Sequence, residues 1–176
     1  MTKSAKNPVL KTERLVLRPF TDEDMDAAIG IFENDEVKKT YMLPDFPDRA
    51  AAEALFRRIQ AISLLPERID YAISLGDELI GFINDCGMEG DTVELGYVIA
   101  PAQKNRGYAT EALAAVIAEL FRMGYRCVQA AHFEENPASG RVMQKCGMRP
   151  IDKKDTIEYR GKEHLCLYYE ITNDLQ

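Results

Sequence analysis

From Ile69 onward the hydrophobic pattern switches period twice, and this restricts the fold more than any other feature of the chain. Three segments of strand length, Ile69 to Leu75, Leu79 to Cys86 and Val93 to Ala100, are separated by the turns Gly76-Asp77-Glu78 and Glu89-Gly90-Asp91. They predict an antiparallel meander. Between Gly107 and Arg122 the period becomes helical, with Ala109, Leu113, Val116, Ile117 and Leu120 on one face and Gly124 as the stop. A strand from Cys127 to Phe133 follows. A strand, a helix and another strand of these lengths make a right-handed crossover, so the two flanking strands should be parallel and the sheet mixed.

The flanking segments fit the same architecture. Glu13 to Arg18 alternates like a half-buried strand. Thr21-Asp22-Glu23-Asp24 opens a helix with an acidic third position, continued by Met25, Ala28, Ile29 and Phe32. Leu55, Phe56, Ile59 and Ile62 mark a second helix, and the connection from Glu36 to Phe46 reads as exposed and irregular. Near the end, a short helix spans Pro137 to Cys146, and a hairpin from about Thr156 to Ile171 turns at Arg160-Gly161-Lys162. The expectation is one α/β domain over residues 1–176, ordered from about residue 9 to 172, with a mixed, twisted sheet flanked by helices.

Charge and composition exclude several functions. Twenty-two basic against twenty-nine acidic residues give a net charge of -7, which opposes nucleic-acid binding. No run approaches the length of a membrane span. Met1 to Pro8 carries Lys3 and Lys6 without a following apolar stretch, so no secretory signal is expected and the cytoplasm is the expected compartment. Cys86, Cys127, Cys146 and Cys166 form no C-x-x-C pair, and His132 and His164 are the only histidines, so no metal site is expected. Cys127, Cys146 and His132 read as packed residues, and Glu134-Glu135 as favourable charge before a helix N-terminus.

The chemistry concentrates in the loop Lys104-Asn105-Arg106-Gly107-Tyr108-Ala109-Thr110, between a strand and a helix. Gly107 and the small Ala109 leave the helix's opening N–H groups uncovered, which makes a receptor for phosphate oxygens, with Lys104 and Arg106 adding positive charge. One helix and one strand later comes Asn136-Pro137-Ala138-Ser139. Both loops fall at the carboxyl ends of neighbouring parallel strands, where open α/β sheets bind ligands. Asn136 is also a favourable N-cap before Pro137, a role compatible with ligand contact.

At these residues the chain resembles the GNAT superfamily of N-acetyltransferases, and within it the ribosomal-protein N-acetyltransferase-like branch. The resemblance is carried by Thr12 to Phe20, Glu94-Leu95-Gly96-Tyr97, Arg106 to Ala112, Asn136 to Ser139 and Lys145-Cys146-Gly147-Met148. It implies acetyl-CoA as cosubstrate, with the pyrophosphate at the loop from Lys104 to Thr110 and the pantetheine arm along Tyr97, Val98 and Ile99. It further implies Asn136 and Ser139 as cofactor contacts. Where many members carry a tyrosine to protonate the departing thiolate, this chain has Met143, which cannot donate a proton. Glu94 is the expected base for direct attack by a primary amine, and Ser139 a hydrogen-bond donor to the thiolate or the arm. The expected acceptor is a protein or peptide N-terminus. A small-molecule or antibiotic amine remains an alternative, as does a non-catalytic acyl-CoA-binding module, and either a monomer or a homodimer is compatible with the sequence.

Overall fold

The structure, a computed structural model, describes residues 8–174; the segment bearing Lys3 and Lys6 lies outside them. The strands are β1 (Leu10–Lys11), β2 (Val16–Arg18), β3 (Asp70–Leu75), β4 (Glu78–Glu89), β5 (Thr92–Ile99), β6 (Cys127–Phe133), β7 (Arg149–Tyr159) and β8 (Lys162–Thr172). They form one eight-stranded sheet in the order β1-β2-β3-β4-β5-β6-β8-β7. The helices are α1 (Met25–Phe32), α2 (Asp35–Lys38), α3 (Arg49–Ser63), α4 (Tyr108–Arg122) and α5 (Pro137–Lys145).

The meander from β3 to β5 is antiparallel and the pair β5 and β6 is parallel, as the pattern requires. That parallel register runs only from Thr92 opposite Cys127 to Leu95 opposite Ala130. Beyond it the two strands diverge, and the sheet splits open at its centre. One side of the sheet buries Leu95, Val128 and Ile83 against Leu113, Val116 and Leu120 of α4. The other side buries Ala72, Phe82 and Val98 against Phe32 of α1 and Phe56 of α3. Past the split, Phe133, Cys166 and Tyr168 form a smaller third cluster.

Three expectations need correction. The first strand is shorter than Glu13 to Arg18, because Thr12 to Leu15 closes into a turn (Thr12 N–H to Leu15 C=O, 2.9 Å). The connection from Glu36 to Phe46 is not merely exposed: it contains α2 and buries Val37, Lys38 and Leu43. The Lys38 ammonium is retained there by Asp45 at 3.0 Å and by the face of Phe46. The closing hairpin is longer than predicted, and its second strand inserts between β6 and β7. The Tyr159 hydroxyl, near the hairpin's tip, accepts from the Leu43 N–H at 3.3 Å and lies 3.2 to 3.3 Å from the carbonyls of Leu43 and Tyr41. Residues 41–45 thereby form a strap tied to the hairpin.

Asp70 is buried at the start of β3, and its Oδ1 has no hydrogen-bond partner among the described residues. Burial, with the charge of Asp85 adding to it, pushes the Asp70 carboxyl up to about 7. The folded protein therefore holds this proton to higher pH than the unfolded chain, so stability falls as pH rises from the ordinary carboxylate range to about 7 and stays lower above it. Asp70→Asn should flatten this dependence. Urea unfolding at about pH 5 and about pH 8 should show the wild type losing roughly 2 kcal/mol more than the variant between the two conditions.

Candidate active site

The local sequence of β5 leads directly into the site. After Ile99, Pro101 starts a single 3-10 turn, Asn105 adopts φ 62° and Gly107 φ 81°, and α4 begins at Tyr108. Two successive approaches to left-handed backbone turn the chain sharply, and glycine takes the second without a steric cost. A Cβ at Gly107 would lie 3.3 Å from Nη2 of Arg14. Arg14 anchors this turn. Its Nη1 donates to the Arg106 carbonyl at 2.8 Å, its Nε donates to Glu111 at 2.7 Å, and the guanidinium lies 4.5 Å from the Tyr108 ring centroid. Burial opposes charge on Glu111, but hydrogen bonds from Thr12 and Arg14 outweigh it and hold the carboxyl below its ordinary range.

A cleft of about 350 Å³ opens where β5 and β6 part. Of the residues predicted from sequence, Tyr97, Val98, Ile99, Lys104, Asn105, Gly107, Tyr108, Ala109, Thr110, Asn136 and Ser139 line it. The exposed Arg106 and the carboxylate Glu94 do not line it. The cleft also draws on Val142 and Lys145, which follow the Asn136 to Ser139 turn, and on residues the sequence reading missed: Gln103 and Arg141, with Val37 and Thr40 from the region of α2. Arg141 and Lys145 stand four apart on α5, a spacing that puts both on one helix face and was readable in advance. With Lys104 they make the cleft locally cationic in a chain of net charge -7.

Asn136 occupies the N-cap position of α5, but its side chain makes no capping hydrogen bond. The amide is thereby left to the cleft it lines. Together with the glycine cradle, the start of α4 and the cations, this donor-rich lining fits a phosphate-bearing ligand with an amide-bearing arm. Ser139 sits in the first turn of α5, where its Oγ lies 2.8 Å from the Tyr97 hydroxyl. Burial pushes the Tyr97 hydroxyl above the ordinary phenol range, with the hydrogen bond from Ser139 opposing the shift. Met143 is fully buried in the core under α5. It supplies no proton, as its side chain already implied.

Glu94 projects from the opposite face of β5, the face that Gly96 and Val98 share. Its side chain is 29% exposed, with Lys153 Nζ 4.0 Å from its Oε2. Tyr168 and Cys86 are its neighbours in charge. Burial first, then Glu94, pushes both hydroxyl and thiol up to about 12, so Cys86 is no thiolate near neutrality. Cys146 is likewise pushed up to about 11 by burial. His132 is packed as expected, buried with its Nδ1 2.7 Å from the Phe133 carbonyl. Glu135 does more than precede a helix. It hydrogen-bonds His164, whose ring stacks on Phe133 at 4.3 Å between centroids.

Residues 14–149 match the family described as the acetyltransferase (GNAT) domain. This chain belongs to the GNAT acetyltransferase family. The uncharacterized N-acetyltransferase YoaA of Bacillus subtilis (strain 168) is 32% identical over 147 residues, covering 81% of this chain and 83% of that protein. The acetyltransferase (GNAT family) from Bacillus anthracis is similar in structure, with a TM-score of 0.82 and 26% identity over 94% of this chain and 98% of that one. RimL, the ribosomal L7/L12 alpha-N-protein acetyltransferase solved in complex with coenzyme A, shares the fold at a TM-score of 0.79. Its identity is 19%, with 94% of this chain and 98% of that chain covered. Family membership makes the protein an acetyl-CoA-dependent N-acetyltransferase, which decides between the enzyme and the binding module. Among the described residues, no helix is long and apolar enough to cross a membrane.

Proposed function

We propose that this GNAT enzyme acetylates the N-terminal amine of a peptide or protein, with acetyl-CoA in the cleft between β5 and β6 and Glu94 as the base. The observation that carries the reading is the arrangement along β5. Tyr97 to Ile99 line the cationic cleft, and the partly exposed Glu94 carboxylate stands three residues before Tyr97, on the face of β5 opposite to that of Tyr97 and Ile99. Three strand residues span roughly 10 Å. The acetyl thioester carried by the cofactor and the incoming amine can thus meet from opposite sides of the open sheet.

The loop from Lys104 to Thr110 would hold the pyrophosphate, by the N–H groups opening α4 and the Lys104 charge. The unpaired edge of β5 and the Asn136 amide would hold the pantetheine arm as an added strand is held. The bound thioester supplies the acyl carbon that the amine attacks. An α-amino group with a pKa of about 8 is still mostly protonated at neutral pH, so a base must take a proton for attack to proceed. Glu94 has the position for this, and Ser139 has the position to donate to the sulfur as the C–S bond breaks.

For the acceptor, the net charge of -7 favours a cationic amine. Asp85 contributes little to that attraction, because Arg68 holds it at 2.9 Å and the Ile69 N–H at 2.8 Å. The half-exposed Met42 on the strap gives an apolar rim suited to a peptide side chain. RimL, whose name states action on an α-amino group of a ribosomal protein, shares the fold. The test is a thiol-release screen over N-terminal peptides, polyamines and aminoglycosides. Peptides should give the highest second-order rates, and these rates should fall as salt screens the attraction beyond about 10 Å. A faster polyamine or aminoglycoside than every peptide would replace this reading with small-molecule acetylation.

A further inference from the structure

From the contact between β5 and α5 we infer that Tyr97 is a positioning residue for the reaction, holding the Ser139 hydroxyl so that it donates a hydrogen bond to the departing sulfur. The inference rests on the reading of Ser139 given above and extends it to a side chain for which the sequence suggested only a backbone role.

The geometry offers the pair two hydrogen arrangements. The Tyr97 hydroxyl lies 2.8 Å from Ser139 Oγ and 3.1 Å from the Ser139 carbonyl oxygen. In the first arrangement Tyr97 donates to the carbonyl, and the Ser139 hydroxyl donates to the Tyr97 oxygen. Every proton is then used within the pair. In the second, Tyr97 donates to Ser139 Oγ, and the Ser139 proton is free to turn into the cleft that both residues line. Two hydroxyl rotations interconvert the arrangements, and no heavy atom needs to move. An uncharged thioester sulfur is a weak acceptor and gives little reason to leave the first arrangement. A sulfur gaining the electron pair of the breaking C–S bond favours the second. The donor is thereby offered when charge develops, which stabilises the transition state more than the ground state.

The environment suits this role. Burial keeps the Tyr97 hydroxyl protonated, so it acts as a fixed donor and gives up no proton. Met143 leaves the core position under α5 without a polar atom that could compete for Ser139. In the balanced step, the amine nitrogen bonds the acyl carbon, the C–S electron pair goes to sulfur, and the proton lost by nitrogen passes through the base and solvent to the thiolate. The two hydroxyls keep their own protons throughout.

The test combines kinetics with a binding measurement made without turnover. Tyr97→Phe should lower kcat about 10-fold while changing the KM for acetyl-CoA less than about twofold. Ser139→Ala should do the same, and the double variant should be no slower than the slower single one, as expected for two groups acting as a unit. Calorimetry should show coenzyme A gaining affinity over its desulfo analogue between about pH 7 and about pH 9.5, as the thiolate forms. That gain should be lost in Tyr97→Phe. If Ser139→Ala turns over at the wild-type rate, the Ser139 reading itself fails. If Ser139→Ala is slow but Tyr97→Phe is not, or the two effects multiply in the double variant, or Tyr97→Phe keeps the pH-dependent preference, the role given to Tyr97 fails while Ser139 stands.

Discussion

Gly107→Val is expected to weaken acetyl-CoA binding about 100-fold, or about 2.7 kcal/mol, measured by calorimetry on a variant shown to be folded by circular dichroism. Two effects add. Gly107 sits at φ 81°, where a β-branched residue is strained, so the turn before α4 will shift to relieve it. A side chain there also covers the N–H groups that open α4 and presses on the Arg14 guanidinium, 3.3 Å from the position its Cβ would take. Because Arg14 ties the Arg106 carbonyl to Glu111, the disturbance would reach the whole loop from Lys104 to Thr110, the proposed pyrophosphate site. A folded variant with wild-type affinity would place the cofactor elsewhere.

Glu94→Gln is expected to lower kcat about 100-fold with acetyl-CoA affinity nearly unchanged, since Glu94 lies outside the cleft lining. Glutamine keeps the shape and loses only the proton acceptor. The residual rate should rise with pH toward the pKa of the acceptor amine, because solvent then supplies the deprotonated nucleophile. Rates measured from about pH 6 to about pH 9 against one peptide would show this as a steeper profile in the variant than in the wild type. A variant with full activity at neutral pH would assign proton removal to another group. Lys153 on β7 lies 4.0 Å from the carboxylate.

Much of this site could be read in the sequence because its parts are local. The turn at Gly107, the helical face of α4 and the Asn136-Pro137 start of α5 each leave a short-range trace of spacing or turn chemistry. The parallel pairing of β5 and β6 followed from the length of the crossover alone. What stayed hidden depends on pairings distant in sequence. Nothing near Arg14 signals that it will hold the Arg106 carbonyl, and nothing near Tyr97 signals Ser139. The connection from Glu36 to Phe46 was read as irregular because Val37 and Leu43 are too few to show a period, and the Leu43 backbone is tied to Tyr159 more than a hundred residues later. The insertion of β8 between β6 and β7 is a choice among sheet orders that a hairpin's own sequence does not express.

The two walls of the split sheet have different histories along the chain. Apart from Val37 and Thr40, the wall that lines the cleft comes from one uninterrupted stretch, β5 through α5, whose contacts close short loops at low entropic cost. The strap and β4 precede that stretch, while the final hairpin follows it, with β8 paired to β6 and the Tyr159 hydroxyl held to the strap. A nascent chain can therefore organise the stretch from β5 to α5 before the final hairpin exists. Under the proposed acceptor reading, drift in residues 41–45 or in the hairpin tip would retune which amine is admitted while leaving the stretch from β5 to α5 untouched.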